Sequence, residues 1–197
     1  YTSKNLHFPH TDLTRNILSH DPQLLVCAGD QIYEGNPTSE DDSDNLSLDY
    51  LYKWYLWAWA FRDLIRSTPT IVQTDDHDVY QGNLWGNGGR AAPTEFIDLD
   101  GRAEEIRDEY RGGYVYGPEF INLVQRTQCG HNPDPYDATP IEQGIGVNYG
   151  TFKFGGISFA FLEDRKFKTA PIQGQDLDVH EAQLLGARQE AVSYTHL

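Results

Sequence analysis

Two short clusters in this sequence carry residue types suited to metal and proton chemistry. The first is Gly29-Asp30-Gln31-Ile32-Tyr33-Glu34. A glycine lets the chain turn sharply and set the Asp30 carboxylate at the turn. Each oxygen of that carboxylate can bind an ion, so Asp30 can bridge two. Tyr33, three residues on, can turn back toward the same point. A phenol with a pKa of about 10 becomes a ligand only where a strongly Lewis-acidic ion draws off its proton. The second cluster is Asp75-Asp76-His77-Asp78. Three carboxylates around one imidazole are costly unless a cation is present. One aspartate can ligate while His77 faces a substrate as general acid or hydrogen-bond donor. A neighbouring carboxylate, Asp75 or Asp78, would raise the histidine pKa and orient its ring. Asn83 could add an amide oxygen. Each cluster alone also fits a polar turn with solvated charges.

The flanking elements place both clusters alike. Leu24-Leu25-Val26-Cys27-Ala28 is a continuous apolar run that reads as a buried strand, with Cys27 a small buried residue. Thr70 to Thr74 reads as a second strand. Between them, Ser47 to Ser67 reads as a helix whose apolar face comprises Leu51, Trp54, Tyr55, Ala58, Phe61, Leu64 and Ile65. Strand, helix, strand implies a crossover connection with both clusters at the carboxyl ends of strands, where open α/β sheets bind ligands. A short helix is expected over residues 11 to 20, capped by Thr11 or Asp12. Gly82 to Arg102 reads as an extended loop. Residues 103 to 125 read as helical in parts, interrupted at Gly112-Gly113 and Gly117-Pro118. Tyr149 to Leu162 alternates about Gly155-Gly156 as a hairpin. A last helix is expected over residues 180 to 192. With no repeat and no linker, the sequence reads as one α/β domain.

The chain has 197 residues, with 30 acidic against 15 basic and a formal net charge of -15. Such a surface repels polyphosphate backbones, which argues against nucleic-acid binding. No run approaches the roughly 18 apolar residues of a membrane span. The two cysteines do not form a disulfide framework. The sequence contains no methionine, even at residue 1, and so reads as a fragment or a processed product.

Taken together, the clusters resemble motifs of the calcineurin-like metallophosphatases. Gly29-Asp30 with Tyr33 is similar to the tyrosine-bearing second metal motif of that superfamily. Asp76-His77-Asp78 resembles its Asn-His-Asp/Glu motif, and the doubled aspartate before His77 resembles the alkaline phosphatase D family. Leu162-Glu163-Asp164-Arg165 is similar to the family's Leu-Asp-Thr-Arg element, and Leu185-Gly186-Ala187-Arg188-Gln189 to its Leu-Gly-x-x-Gln. The resemblance spans roughly residues 24 to 190. It implies an α/β mixed-sheet sandwich flanked by helices, incomplete at both ends. It also implies two divalent or trivalent metal ions, calcium and iron first and zinc or manganese second, and hydrolysis of a small phosphate ester. Asp30, Tyr33 and Asp76 would be metal ligands and His77 the catalytic group. Asp75, Asp78, Asn83 and Arg165 would support the site, and the location would be secreted or periplasmic.

The family's first metal ligand and its last Gly-Asp-x-His element have no match. His7, His10 and His20 read as surface or helix-end residues, and His131, His180 and His196 do not fit. Half of a dinuclear site is therefore expected to lie outside this sequence, leaving the 197-residue chain with weak metal affinity and negligible turnover. Val192 to Leu197 departs from the preceding helix pattern and reads as non-native sequence. A different class of function is an acidic module binding calcium through Glu40, Asp41, Asp42 and Asp44, although that run lacks the glycine and terminal glutamate of an EF-hand loop. A third is a carbohydrate site with Trp54, Trp57, Trp59 and Trp85 as platforms; three of these lie on the long helix, where core packing accounts for them.

Overall fold

The structure is a computed structural model, and it describes residues 10–34, 45–97, 103–105, 112–171 and 182–196. The chain is mixed α/β and divides into two compact units. The first comprises Tyr1–Tyr80 with Leu123–Asn132, and the second Gln81–Asn122 with Pro133–Leu197.

In the first unit, helix α1 (Thr11–Leu18) leads to strand β1 (Leu25–Cys27). His10, rather than Thr11 or Asp12, occupies the N-cap, and no side chain caps it. β1 pairs in parallel with β2 (Thr70–Val72), Val26 opposite Ile71. The connection runs through α2 (Leu46–Ala60) and a short α3 (Arg62–Ile65), as the strand–helix–strand reading expects. Asn45 caps α2 by accepting from the Leu48 amide. One continuous helix was expected to Ser67; the helix instead breaks at Phe61, whose φ of -100° and ψ of 10° leave the helical region.

Two expectations about burial are corrected. β1 is not a fully buried strand: Val26 is 54% exposed, and Cys27, on the opposite face, is partly exposed. The buried face of α2 is also rotated from the expected one. Tyr50, Lys53, Trp57 and Ala60 point inward, followed by Leu64 on α3, whereas Tyr55 is 61% exposed and Leu51 lies at the surface. The steps of three and four residues are those of a helix face. The sequence LSLDYLYKWYLWAWA is apolar around most of its circumference, so periodicity does not select which face turns inward. On β2, the Asn132 side chain accepts from the Val72 amide at 3.1 Å and donates to its carbonyl at 2.6 Å. A side-chain amide thus satisfies one edge of the strand.

In the second unit, β3 (Glu95–Ile97) pairs antiparallel with β4 (Ala103–Glu105) where a loop and helical pieces were expected. Helix α4 (Pro118–Cys129), assigned to this unit up to Asn122 and to the first unit from Leu123, starts at Pro118 instead of being interrupted there. Proline suits the first helical position because its missing amide would have no partner within the helix. The hairpin of β5 (Gly150–Phe154) and β6 (Ile157–Phe161) forms about Gly155-Gly156 as expected, with Phe152 opposite Phe159 and the two rings stacked. The short α5 (Asp164–Phe167) and α6 (Gly186–His196) follow, and α6 continues helically past Val192.

The two later sequence motifs interlock in this unit. Gln189 is fully buried; its amide donates to the Glu163 and Leu185 carbonyls and its oxygen accepts from the Glu163 amide. Glu163 pairs with buried Lys166 at 2.7 Å and accepts from the Asn148 amide. These motifs therefore have a structural account in the packing of α6 against the end of the hairpin. Among the described residues, no helix is long and apolar enough to cross a membrane.

Candidate metal centre

Both sequence clusters emerge from the carboxyl ends of the paired strands in the first unit. After β1 the chain turns through Gly29, with φ +117°, and Asp30, with φ +58°. A Cβ on Gly29 would collide with the Cβ and backbone nitrogen of Asp75, so the loops touch where only glycine fits. After β2, Asp76 begins a single 3₁₀ turn (His77–Val79), accepting from the His77 amide at 3.1 Å. Tyr80 closes that turn in the left-handed region, φ 59°.

Asp78 holds the two loops together. It is fully buried, and four donors converge on it. Oδ2 accepts from the amides of Asp30 at 2.7 Å and Asp75 at 2.9 Å. Oδ1 accepts from the Ile32 amide at 2.9 Å and Gln128 Nε2 at 2.8 Å. Burial pushes its carboxyl pKa up, and the hydrogen bonds from Gln128 and the three backbone amides oppose that rise. Gln128, also fully buried, donates to Tyr50 Oη and accepts from Gln31. Asp78 thus supports the site through the loop backbones, and its oxygens are already taken.

The atoms left for a ligand lie next to this hub. Ligand atoms of Asp30, Asp76 and His77 come within 4.8 Å of one another. Asp30 Oδ1 is buried and has no hydrogen-bond partner, while Oδ2 accepts from Tyr33 Oη at 2.7 Å. That hydrogen bond, reinforced by burial and nearby carboxylates, pushes the Tyr33 phenol up to about 12. The Tyr33 and His77 rings stack with centroids 4.3 Å apart. His77 Nδ1 lies 2.8 Å from a Glu34 carboxylate oxygen. Burial works against the imidazolium, but Glu34, then Asp76 and Asp30, outweigh it, and the His77 pKa is raised. Two carboxylates, an imidazole and a phenol are hard oxygen and nitrogen donors. Together with the orphaned oxygen of Asp30 they fit a metal ion.

Of the residues singled out from sequence, Asp30, Tyr33, Asp75, Asp76, His77 and Asp78 come together in the first unit. Asn83, left-handed at φ 57°, and Arg165 belong to the second unit, where Arg165 Nε lies 3.9 Å from Asp164 and its carbonyl accepts from the Gly86 amide. Glu40, Asp41, Asp42 and Asp44 lie outside the described residues, as do His7 and His180. Sequence reasoning missed Glu34, Gln128 and Lys53. Glu34 follows Tyr33 directly and was visible as a third polar residue of the motif. Gln128 and Lys53 carry no such local signal.

No family model and no curated protein matches this chain. Among solved structures, the chain is similar to one described as "Structure of PhoD", an alkaline phosphatase D, with a TM-score of 0.55 and 17% sequence identity. The alignment covers 90% of this chain and 34% of that one, so the chain spans about a third of the length of the structure it matches. The likeness is one of fold, and it is to the family that the sequence motifs resemble.

Proposed function

We propose that residues 1–197 form the middle of a metallophosphatase domain, a mixed-sheet sandwich of the alkaline phosphatase D type, and contribute half of a dinuclear phosphoester hydrolase site. The observation that carries this reading is the cluster of Asp30, Asp76 and His77 within 4.8 Å, beside a buried Asp30 oxygen without a partner. Asp30 would bridge two ions, Tyr33 would hold the more acidic one and Asp76 the other, with calcium and iron the leading pair and zinc or manganese the alternatives. Ions in such a site act as Lewis acids toward a phosphoryl group.

The chain's own residues supply the rest. Glu34 holds His77 by Nδ1 and keeps the ring oriented. The other ring nitrogen then faces substrate as a donor to a phosphoryl or leaving-group oxygen. Asp75 and Asp78 fix the loop that carries Asp76 and His77. Asn83 and Arg165 are assigned supporting roles, Arg165 suiting a two-pronged contact with phosphate. Export to the periplasm or the medium goes with this family reading. The substrate is a small phosphate ester, consistent with a net charge of -15 that disfavours nucleic acid.

The test is phosphatase activity of the full-length protein. Asp30→Asn and His77→Ala are expected to abolish turnover while circular dichroism and melting stay near wild type. Full activity in either variant refutes the assignment. The 197-residue chain alone is expected to bind metal weakly and turn over negligibly; a tight stoichiometric metal pair in it contradicts the half-site reading.

A further inference from the structure

Lys53 on α2 has no part in the chemistry above, yet its side chain is completely buried. Lysine is almost never fully buried without compensating partners. Here Nζ donates to three oxygens: Asp49 Oδ2 at 2.7 Å, Tyr80 Oη at 2.8 Å and the Tyr33 carbonyl at 3.1 Å. Tyr80 Oη in turn donates to Asp49 Oδ2 at 2.9 Å, and Lys53 Nζ also lies 4.3 Å from the centroid of the Tyr80 ring. Burial lowers the lysine pKa and Asp49 opposes that. The three partners belong to three different segments. Asp49 is on α2 itself, Tyr33 is in the loop after β1, and Tyr80 directly follows the turn carrying His77.

The location of Tyr80 sharpens the point. An aromatic residue at φ 59° costs about 1–3 kcal/mol and persists only where its surroundings over-determine it. The hydroxyl of Tyr80 is held from both sides by Lys53 and Asp49, which supplies that constraint. Asp78 already ties the two loops at their backbones near Asp30 and Asp75. Lys53 ties them a second time, through the Tyr33 carbonyl and the Tyr80 hydroxyl. Two separate ties fix an angle as well as a distance, and the Tyr33 and His77 rings stack between the same two loops.

We propose that Lys53, acting with Asp49 and Tyr80, is a positioning residue that sets the placement of the Tyr33 loop against the His77 loop. The metal-affinity part of this proposal rests on the metal-centre reading above; the placement itself does not.

The experiment compares the 197-residue chain with Lys53→Met, which keeps the length of the stem without the charge, and Tyr80→Phe, which removes only the hydroxyl. Leu64→Ala, a buried α3 position outside the network, is the control for lost stability. The first readout is the nuclear Overhauser contact between the Tyr33 and His77 rings in metal-free protein. The second is affinity for Mn²⁺, followed by electron paramagnetic resonance. Wild type and Leu64→Ala are expected to show the ring contact, and Lys53→Met and Tyr80→Phe to lose most of it. Mn²⁺ affinity should fall about tenfold or more in both network variants, the size typical of losing a partner that orients ligands. Tyr80→Phe decides the matter where Lys53→Met does not fold. A ring contact kept in both variants, or lost equally in Leu64→Ala, overturns the proposal. Mn²⁺ binding too weak to read in wild type agrees with the half-site reading and leaves the decision to the ring contact. Full activity of Asp30→Asn or His77→Ala in the full-length protein counts against the metal-centre reading alone, and the ring contact still decides the role of Lys53.

Discussion

Replacing Asp78 by asparagine tests whether the candidate site is built around a buried carboxylate hub. The substitution preserves shape and volume and removes one charge. Asparagine offers one accepting oxygen and one donating nitrogen, whereas Asp78 accepts at both oxygens. Oδ2 faces the Asp30 and Asp75 amides, and Oδ1 faces the Ile32 amide and Gln128 Nε2. Whichever way the new amide is turned, its nitrogen meets two donors. Two of four hydrogen bonds are lost, each worth about 1.5–3 kcal/mol because the acceptor is charged. Removing a desolvated charge returns part of that sum. The net expectation is a loss of about 2–4 kcal/mol, against a total stability of about 5–15 kcal/mol for an ordinary domain. The melting temperature should fall by about 4–16 °C, at about 2–4 °C per kcal/mol for a chain of this size.

Urea titration and calorimetry measure this directly. Asp12→Asn provides the baseline. Asp12 is a surface residue whose ion pair with Arg15 is long at 3.5 Å, so its loss should cost about 0–1 kcal/mol. An Asp78→Asn variant as stable as Asp12→Asn refutes the hub. Gln128→Leu gives a second reading, since it removes the donor to Asp78 and Tyr50 and the acceptor for Gln31 while keeping the site apolar and filled.

Two further outcomes follow from the same loops. Gly29→Ala should cost more than about 2 kcal/mol by urea titration, because it combines a positive φ with a collision against Asp75; a loss within 0.5 kcal/mol, the usual surface range, shows that the loops are free to separate. The Cys27 thiol, pushed up to about 11 by burial and by Asp78, should resist alkylation. At pH 8 its thiolate fraction is roughly a hundredth of that of an unperturbed cysteine, so iodoacetamide labelling should be slower by that order and should rise about tenfold per pH unit. Labelling of Cys27 within tenfold of a free-cysteine peptide removes the case for its desolvation.

The parts of this molecule that were legible in sequence are those set by local chemistry. The hairpin about Gly155-Gly156 and the parallel strands joined through a helix could be read because turn residues and periodicity decide them. Asp30, Asp76 and His77 could be read because strand ends deliver them to one edge. What could not be read was the outcome of competition between faces. Helix α2 is apolar on nearly all sides, so the choice of Lys53 over Leu51 for the interior is made by Tyr80, Tyr33 and Asp49. Gln128 and Asn132 were invisible for a related reason. Each is a lone polar residue whose partners lie about 50 and 60 residues away in the chain, at Asp78 and Val72. No spacing rule covers such pairs.

The aspartates of the two clusters look alike in sequence, and hydrogen-bond satisfaction separates Asp78 from Asp30. Asp78 has four donors and no free acceptor, so a cation at its oxygens would have to break the loops apart. Asp30 has one oxygen occupied by Tyr33 and one buried without a partner. Lack of a partner is not sufficient by itself. Asp49 Oδ1, Trp85 Nε1 and Tyr149 Oη are buried and unpartnered as well. Among the described residues, Asp30 is the orphan that also has a second carboxylate and an imidazole within 4.8 Å. An orphan without a cluster of further ligand groups around it is a cost the fold absorbs, whereas an orphan facing further ligands has an energetic reason to recruit a cation. Under the proposed function this geometry puts Asp78 in the scaffold and Asp30 among the ligands, the same division that the sequence resemblance implies, reached from hydrogen-bond satisfaction alone.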